Sequence, residues 1–360
     1  MEINITLDEA LAEASPSLRR KMLHTVDIIR KAESLSLKYD PEKGFYVGFS
    51  GGKDSQALYH MMQLCGVKMF AYFNPSSIDP PENIRFIRKN YPEVKFTHLK
   101  ESIFTIFKRM KVLPSMKIRW CCAYFKESKG EGKVVCTGVR KSESVKRSKR
   151  NEIEVSGHKF SGHIDEFADW QEKKIRKKIK HLNQDQFAEA KESEVRCING
   201  HDKILLNPII EWTENDVWEF LNNIVKVPHC KLYDEGWTRI GCICCPMANT
   251  KYTLRDIKRW SHVKEKWIRA IMDVRKESIL GNSVGDVSKA IDDYPPRQNR
   301  CLKSTQSTGY TPPRTIGRDI PYMGATIHKN GNSQSKICTE RFATAQADIG
   351  EEYQRGSGNF

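Results

Sequence analysis

Apolar positions in this chain follow two rhythms that alternate from Phe45 to about Asn222. Short continuous runs at Phe45–Phe49, Val67–Phe73, Val94–Leu99, Val134–Thr137 and Ile204–Ile210 have the length and side-chain types of buried strands. Between them, apolar residues recur at helical spacing over Ser55–Leu64, Pro81–Asn90, Ile103–Met110 and Glu214–Asn222. Pro80-Pro81 marks one helix start, and Thr213 is placed to cap another. Strand and helix in alternation predict an α/β protein built on a mostly parallel sheet. The same spacing predicts a helix over Leu18–Leu37 and one long amphipathic helix over Leu254–Ser278, with Ile257, Trp260, Val263, Trp267, Ile268 and Ile271 on its apolar side. Trp212, Trp218, Trp260 and Trp267 are expected to pack in the core. The chain thus divides into a helical N-terminal segment (1–43), a sheet domain (44–250) with a charged insertion at 141–203, and a helical segment (251–294). Residues 295–360, rich in Gly, Ser, Thr, Pro and Asn, are expected to be flexible or partner-dependent.

Composition narrows the class. The chain has 360 residues, enough for a sizeable core, and no run of about 18 apolar residues that would span a membrane. Its first residues, MEINITLDEALAEA, are acidic and amphipathic, unlike a secretory or transit segment. The expectation is a soluble, cytoplasmic protein. In that setting eleven cysteines point to metal, cluster or redox use rather than to disulfides. A formal charge of +15 points to a polyanionic partner or to several phosphates.

The most informative stretch is Tyr46–Ser55, YVGFSGGKDS. An apolar strand breaks at Ser50-Gly51-Gly52, and a helix begins around Asp54-Ser55. Strand, glycine turn and helix N-terminus together cradle an anion, because backbone N–H groups converge where the helix dipole is positive. Gly51 and Gly52 allow close backbone approach, and Lys53 adds a cation. Lys53 and Asp54 are expected at a solvent-facing helix start. The string is neither G-x-x-x-x-G-K-[ST] nor G-x-G-x-x-G; it resembles the PP-loop of the ATP pyrophosphatases.

A second constellation is made of cysteines. Cys121 and Cys122 are adjacent in RWCCAYFKE, and Cys242 and Cys245 form a C-x-x-C pair in GCICCP. Four thiolates suit a [4Fe–4S] cluster or Zn²⁺, with Arg119, Lys126 and Arg239 available to offset the charge. Cys244 and Cys230 stand as alternative ligands, and buried free cysteines are the remaining reading. Cys65, Cys136 and Cys197 read as packing residues.

Taken together, SGGKDS, RWCC with Lys126, TGVRKSES, NPIIEWTENDVWEFL and LYDEGWTRIGCICCP resemble the phosphoadenosine phosphosulfate (PAPS) reductase family from about Gly44 to Met247. The resemblance implies a doubly wound, Rossmann-like sheet of the adenine nucleotide alpha-hydrolase-like kind, with the nucleotide across the carboxyl ends of the strands. It implies that Ser50, Gly51, Gly52, Lys53, Asp54 and Ser55 hold phosphate or sulfate groups, with Gly138 and Arg140 a second contact. It further implies a [4Fe–4S] cluster on Cys121, Cys122, Cys242 and Cys245. The family's E-C-G-[IL]-H nucleophile segment is absent; Cys301 in NRCLKS and Cys338 in KICTE lack its flanking residues. FNPSSIDPPE also departs from the family's acidic-glycine version, leaving Phe73 and Asp79 as candidate adenosine contacts.

The intact SGGKDS resembles ATP-cleaving members, so the expected substrate is ATP with Mg²⁺, adenylated onto an acceptor in support of sulfur transfer, with Lys53, Asp54 and Arg140 catalytic. A PAPS or adenylyl sulfate reductase and a nucleotide- or nucleic-acid-binding module without turnover are the alternatives, and a sulfur or electron donor protein is a candidate partner. The insertion carries SVKRSKR (144–150) and KKIRKKIK (173–180), which read as a nucleic-acid backbone contact with Phe167 and Trp170 free to stack, or as a solvated helix face anchored by Ile175 and Ile179. His158 and His163 read as surface histidines, with a metal role as the other reading.

Overall fold

The computed structural model describes residues 1, 3–155, 159–178 and 203–279. Two compact units divide them. Of the described residues, the first holds those within Met1–Ile106 and Arg119–Ile243; the second holds Phe107–Ile118 and 244–279.

The first unit opens with two helices, α1 (Leu7–Glu13) and α2 (Pro16–Tyr39). α1 falls within the helical N-terminal segment, ahead of the helix that the apolar spacing marked at Leu18–Leu37. Thr6 and Glu9 start it as a reciprocal capping box. α2 begins earlier than its apolar spacing suggested, because the Ser15 side chain caps it and Pro16 fits the first turn. The sheet strands are β1 (Phe45–Gly48), β2 (Met69–Phe73), β3 (Lys95–Phe96), β4 (Val134–Cys136), β5 (Ile153–Val155), β6 (Phe160–Gly162) and β7 (Ile204–Leu206). Their order is β3-β2-β1-β4-β7-β5-β6. The first five in that order run parallel, and β5 and β6 run antiparallel at one edge. The mostly parallel α/β sheet expected from the sequence is the observed one.

α3 (Lys53–Leu64) follows β1, and α4 (Pro81–Asn90) follows β2. Residues 55–62 of α3 are all buried, so its polar members need internal partners. Gln56 Nε2 donates to Tyr91 Oη at 2.7 Å and to the Pro228 carbonyl at 2.9 Å. His60 sits 2.9 Å from the same Tyr91 hydroxyl, and burial pushes its pKa down to about 4, so it packs as a neutral ring. α5 (Ile103–Met110), the short α6 (Trp120–Cys122) and a π-turn over Ala123–Glu127 come next; α7 (Ile164–Lys178) and α8 (Glu214–Glu219) complete the set. Thr213 caps α8 as expected, in a capping box with Asp216. Trp212 is buried, its indole N–H donating to Thr25 Oγ1 at 3.0 Å, whereas Trp218 is half-buried against His229 and Tyr233.

The insertion at 141–203 is where pattern and structure part. Its β5–β6 hairpin joins the sheet through β7. Buried Glu152, just before β5, accepts hydrogen bonds from the Ile164 N–H at 3.0 Å, and its other oxygen meets His24 at 3.0 Å and His163 at 2.9 Å. His163 is therefore a carboxylate partner, while His158 lies outside the described residues. The hydrogen bond that His163 donates to Glu152 raises the His163 pKa above its ordinary value near 6.5. A group raised in the folded state stabilises fully below its unfolded pKa and loses that contribution as pH rises through the folded value. The difference in melting temperature between the wild type and His163→Gln is expected to be larger near pH ~5.5 than near pH ~8.5. The effect is small, since the imidazole is 64% exposed. Equal differences at both pH values in thermal scans would count against the pairing.

In the second unit the expected long helix is two: α9 (Thr250–Arg259) and α10 (Ser261–Ile279). Trp260 leaves the helical conformation at φ −126°, ψ 57° between them. Ile257, Trp260, Val263, Trp267 and Ala270 are buried, and Phe107 meets Trp267 edge-on with ring centroids 5.8 Å apart. The break lets one apolar set serve two helix axes, which periodicity alone does not reveal. Among the described residues, no helix is long and apolar enough to cross a membrane.

Candidate active site

β1 pairs with β2 on one side and with β4 on the other. The chain leaves β1 towards β2 and β3, then returns to β4 on the opposite flank, so the strand order reverses between β1 and β4. Open parallel sheets bind ligands at the carboxyl ends of the strands at such a point. Two segments meet there: Phe49–Ser55, after β1, and Thr137–Arg140, after β4. They touch closely, for a Cβ on Gly138 would lie 2.7 Å from the Asp54 carbonyl oxygen. Gly51 has φ +72°, and a Cβ there would meet Asn83 Oδ1 at 2.5 Å, so the turn demands glycine twice over.

The loop is tied internally. The Ser50 N–H donates to Ser55 Oγ at 3.1 Å, and Ser55 Oγ donates to the Gly52 carbonyl at 2.8 Å. Asn83, on α4, donates to the Ser50 carbonyl at 2.9 Å. Lys53 is not solvent-facing as expected: it is 4% exposed. Its ammonium donates to the Thr238 carbonyl at 2.9 Å, with Glu214 at 3.3 Å and Asp54 at 3.8 Å. Its backbone N–H, one of the helix-start donors, goes to Tyr233 Oη at 2.9 Å. Sequence reasoning named neither Tyr233, Thr238 nor Glu214 for this role, though two lie in LYDEGWTR. Asn83 had no sequence signal at all.

Arg140 is 3% exposed. Its Nε donates to Asp54 Oδ1 at 2.7 Å, and an Nη donates to Ser142 Oγ at 2.9 Å. This joins the two halves of the crevice by a charge-assisted bond. Arg147, paired with Glu143, has its pKa pushed down to about 10, chiefly by burial and then by Arg239, Arg150 and Arg140. A guanidinium held among like charges beside a helix start is an electropositive setting that an anion relieves.

Three of the four sequence-predicted cysteines, Cys121, Cys122 and Cys242, fall in the first unit, and Cys245 falls in the second. Cys122 has its thiol pulled down to about 5, first by the hydrogen bond from Cys121 and also by Arg119, whose guanidinium lies 3.4 Å from the sulfur. Lys126 reaches Cys242 Sγ at 3.5 Å and is held protonated by the charges of Cys242, Asp79 and Cys122. A thiol held beside a guanidinium leans to the thiolate, the form that ligates metal, and Cys122 is such a thiol. The alternatives fit poorly: burial pushes Cys244 up to about 12, with Asp256 adding to it, and burial raises Cys230. Cys65 and Cys136 are raised by burial too, as packing residues are. Among the described residues, no group of three or more His, Cys, Asp or Glu side chains stands at metal-binding spacing. Cys197, Cys301 and Cys338 lie outside the described residues.

Of the basic insertion, Phe167 is buried against Phe160 and Trp170 and is not free to stack; Lys174 lies over the Trp170 ring at 5.2 Å. The side chains of 175–178 and the rest of the 173–180 run lie outside the described residues.

The model of the phosphoadenosine phosphosulfate reductase domain matches residues 44–248, more than half of the chain. This protein belongs to that family. Among its relatives, an uncharacterized protein of Methanocaldococcus jannaschii is 24% identical over 67% of this chain and 44% of its own length. The adenosine 5'-phosphosulfate reductase of Allochromatium vinosum is 38% identical over a shorter stretch, 18% of this chain and 23% of the reductase. The chain spans less than half the length of the two curated relatives it matches most extensively. Candida glabrata FMN adenylyltransferase, solved with FMN and an ATP analogue, superposes with a TM-score of 0.39 at 15% identity, covering 66% of this chain and 69% of that one. That likeness is too distant to carry a functional argument.

Proposed function

We propose that the protein is an ATP-dependent enzyme that adenylates an acceptor in support of sulfur transfer, with a nucleic acid as one candidate acceptor. The observation that carries this reading is the SGGKDS turn at the β1–β4 reversal, with Lys53 and Arg140 converging on Asp54. ATP, accompanied by Mg²⁺, lays its phosphates on the amides of Ser50–Ser55 and on Lys53, displacing Tyr233 Oη and the Thr238 carbonyl from their present contacts. An acceptor oxygen attacks the α-phosphorus, the new P–O bond forms, and the bond to pyrophosphate breaks. Arg140 and Arg147 offset the charge that develops, and Asp54 orients Arg140. Such a reaction asks the protein for positioning and charge stabilisation rather than covalent chemistry. Purified protein incubated with ATP, Mg²⁺ and a nucleic-acid acceptor is expected to release pyrophosphate as the adenylyl group joins the acceptor.

The family match favours a second reading, a reductase that releases sulfite from PAPS or adenylyl sulfate. Sulfite formed with reduced thioredoxin as donor, and lost on changing Cys301 or Cys338 to Ser, would replace the first reading by the second. Nucleotide binding without either product would leave a sensing or binding module.

We further propose that the family's cysteine set, Cys121, Cys122, Cys242 and Cys245, holds a [4Fe–4S] cluster, with zinc as the alternative. When bound, such a cluster supplies electron transfer or a docking point for sulfur. Anaerobic protein is expected to be brown, with a broad band near ~400 nm that disappears in Cys242→Ser or Cys245→Ser. Colourless protein with one zinc per chain would select the structural-zinc alternative.

A further inference from the structure

α4 starts at two prolines, Pro80 and Pro81, whose rings fix the backbone at the helix entry. Asn83 sits in the first turn, its own N–H donating to the Pro80 carbonyl at 3.0 Å. One turn further on is Ile87, on the same helix face. Both side chains are buried, Asn83 with 2% exposure. That face lies against Gly51, where a Cβ would come within 2.5 Å of Asn83 Oδ1 and 2.7 Å of Ile87 Cδ1. The Asn83 Nδ2 donates to the Ser50 carbonyl at 2.9 Å, while its Oδ1 has no hydrogen-bond partner among the described residues. Stability alone does not favour such a side chain, because a buried unmatched oxygen costs about as much as the donated bond contributes.

The donated bond sets the direction of a whole peptide unit. The bond between Ser50 and Gly51 is trans, so the Gly51 N–H points opposite to the Ser50 carbonyl. With that carbonyl turned to α4, the Gly51 N–H is turned away from it. The N–H groups of Ser50, Gly52 and Lys53 meet Ser55 Oγ, Ser50 Oγ and Tyr233 Oη at 3.1, 3.4 and 2.9 Å. The Gly51 N–H meets no acceptor among the described residues, although Gly51 is buried. Buried N–H groups without a partner are rare, and one in a glycine turn before a helix start is a donor that an anion takes up. Glycine also makes rotation of this peptide plane easy, so its orientation needs an anchor from outside the turn. We propose that Asn83 is a positioning residue for the phosphate site: by holding the Ser50 carbonyl, it keeps the Gly51 N–H directed at the bound anion. This rests on the reading of Phe49–Ser55 as the phosphate-binding turn. Asn83 acts through the Ser50–Gly51 peptide rather than by contact with the ligand.

The test compares the wild-type full chain with Asn83→Leu, which keeps the branched shape of the side chain and removes its donor. The probe is inorganic pyrophosphate or ATP, whichever binds wild type more tightly by calorimetry. The Gly51 amide resonance is followed by NMR in protein labelled at the glycine nitrogens. In wild type the probe is expected to shift that resonance. In Asn83→Leu the affinity is expected to fall about tenfold and the Gly51 shift to be lost, while the melting temperature falls by no more than about 4 °C. Wild-type affinity in Asn83→Leu overturns the proposal and leaves the phosphate site in place. Weaker binding with the Gly51 shift intact also overturns it, because the loss then arises elsewhere, and so does a wild-type Gly51 resonance that the saturating probe does not move. If Asn83→Leu does not fold, Asn83→Ala decides on the same two readouts. Wild-type protein that binds neither probe overturns the phosphate-site reading first and this proposal with it.

Discussion

Lys53→Ala combined with Asp54→Ala is expected to abolish nucleotide turnover, a loss of at least about 10²–10³-fold. Lys53 is the one cation inserted into the turn itself, and Asp54 fixes the direction of Arg140 through the 2.7 Å contact. Removing both takes away the direct charge contact and the orientation of the second one. Because Lys53 is buried rather than solvent-facing, the alanine pair also empties space beside Tyr233 and leaves the Thr238 carbonyl without its donor. Lys53→Met, which keeps most of the stem volume, separates the two effects. Circular dichroism should show the Lys53→Met fold intact while calorimetry shows weakened ATP binding. Unchanged ATP affinity in both variants would sink the assignment of the turn as the phosphate site.

Arg140→Met is expected to damage stability as well as binding. The guanidinium is 4% exposed and the Asp54 carboxylate 23%, so the variant leaves a mostly buried carboxylate with only the Lys53 ammonium, 3.8 Å away, as a charged partner. Breaking one side of a fully buried pair costs about 3–5 kcal/mol, and the partial exposure of Asp54 lowers this to about 2–3 kcal/mol. For a unit of this size the melting temperature should fall by about 5–10 °C. Adding Asp54→Asn removes the stranded charge and should recover a good part of that loss without restoring nucleotide affinity. A melting temperature within about 1 °C of wild type in Arg140→Met would show that the pair contributes little to the fold.

The two candidate sites were legible in the sequence to different depths. SGGKDS between an apolar run and a helical pattern is a local signal, because turn, glycine freedom and helix start are all decided within ten residues. Gly138 and Arg140 were legible only through resemblance, since their nearness to Asp54 depends on β4 pairing beside β1 across 86 residues of chain. Tyr233, Thr238 and Glu214 were missed for the same reason: a hydroxyl, a carbonyl and a surface carboxylate carry no chemistry of their own until folding brings them to Lys53. In the cysteine set, spacing could not separate Cys242 from Cys244. Their surroundings differ: Lys126 stands beside the Cys242 sulfur, whereas burial and Asp256 raise the Cys244 thiol.

What the amino-acid order determined by itself was the parallel sheet, its strand–glycine turn–helix junction and the capped helices around it. Each of these follows from interactions within a few residues: apolar runs that bury both faces, Gly51 at positive φ, Thr213 capping α8. Only the tertiary structure decided that the charged insertion builds a hairpin onto the sheet edge, that Trp260 breaks one helix into two, and that Lys53 is buried. Three-residue strands leave too little periodicity to read, and a buried tryptophan at a bend looks like any other apolar position. A lysine's burial is settled by partners distant in sequence, because an ammonium leaves water only where a carbonyl and carboxylates are already waiting for it.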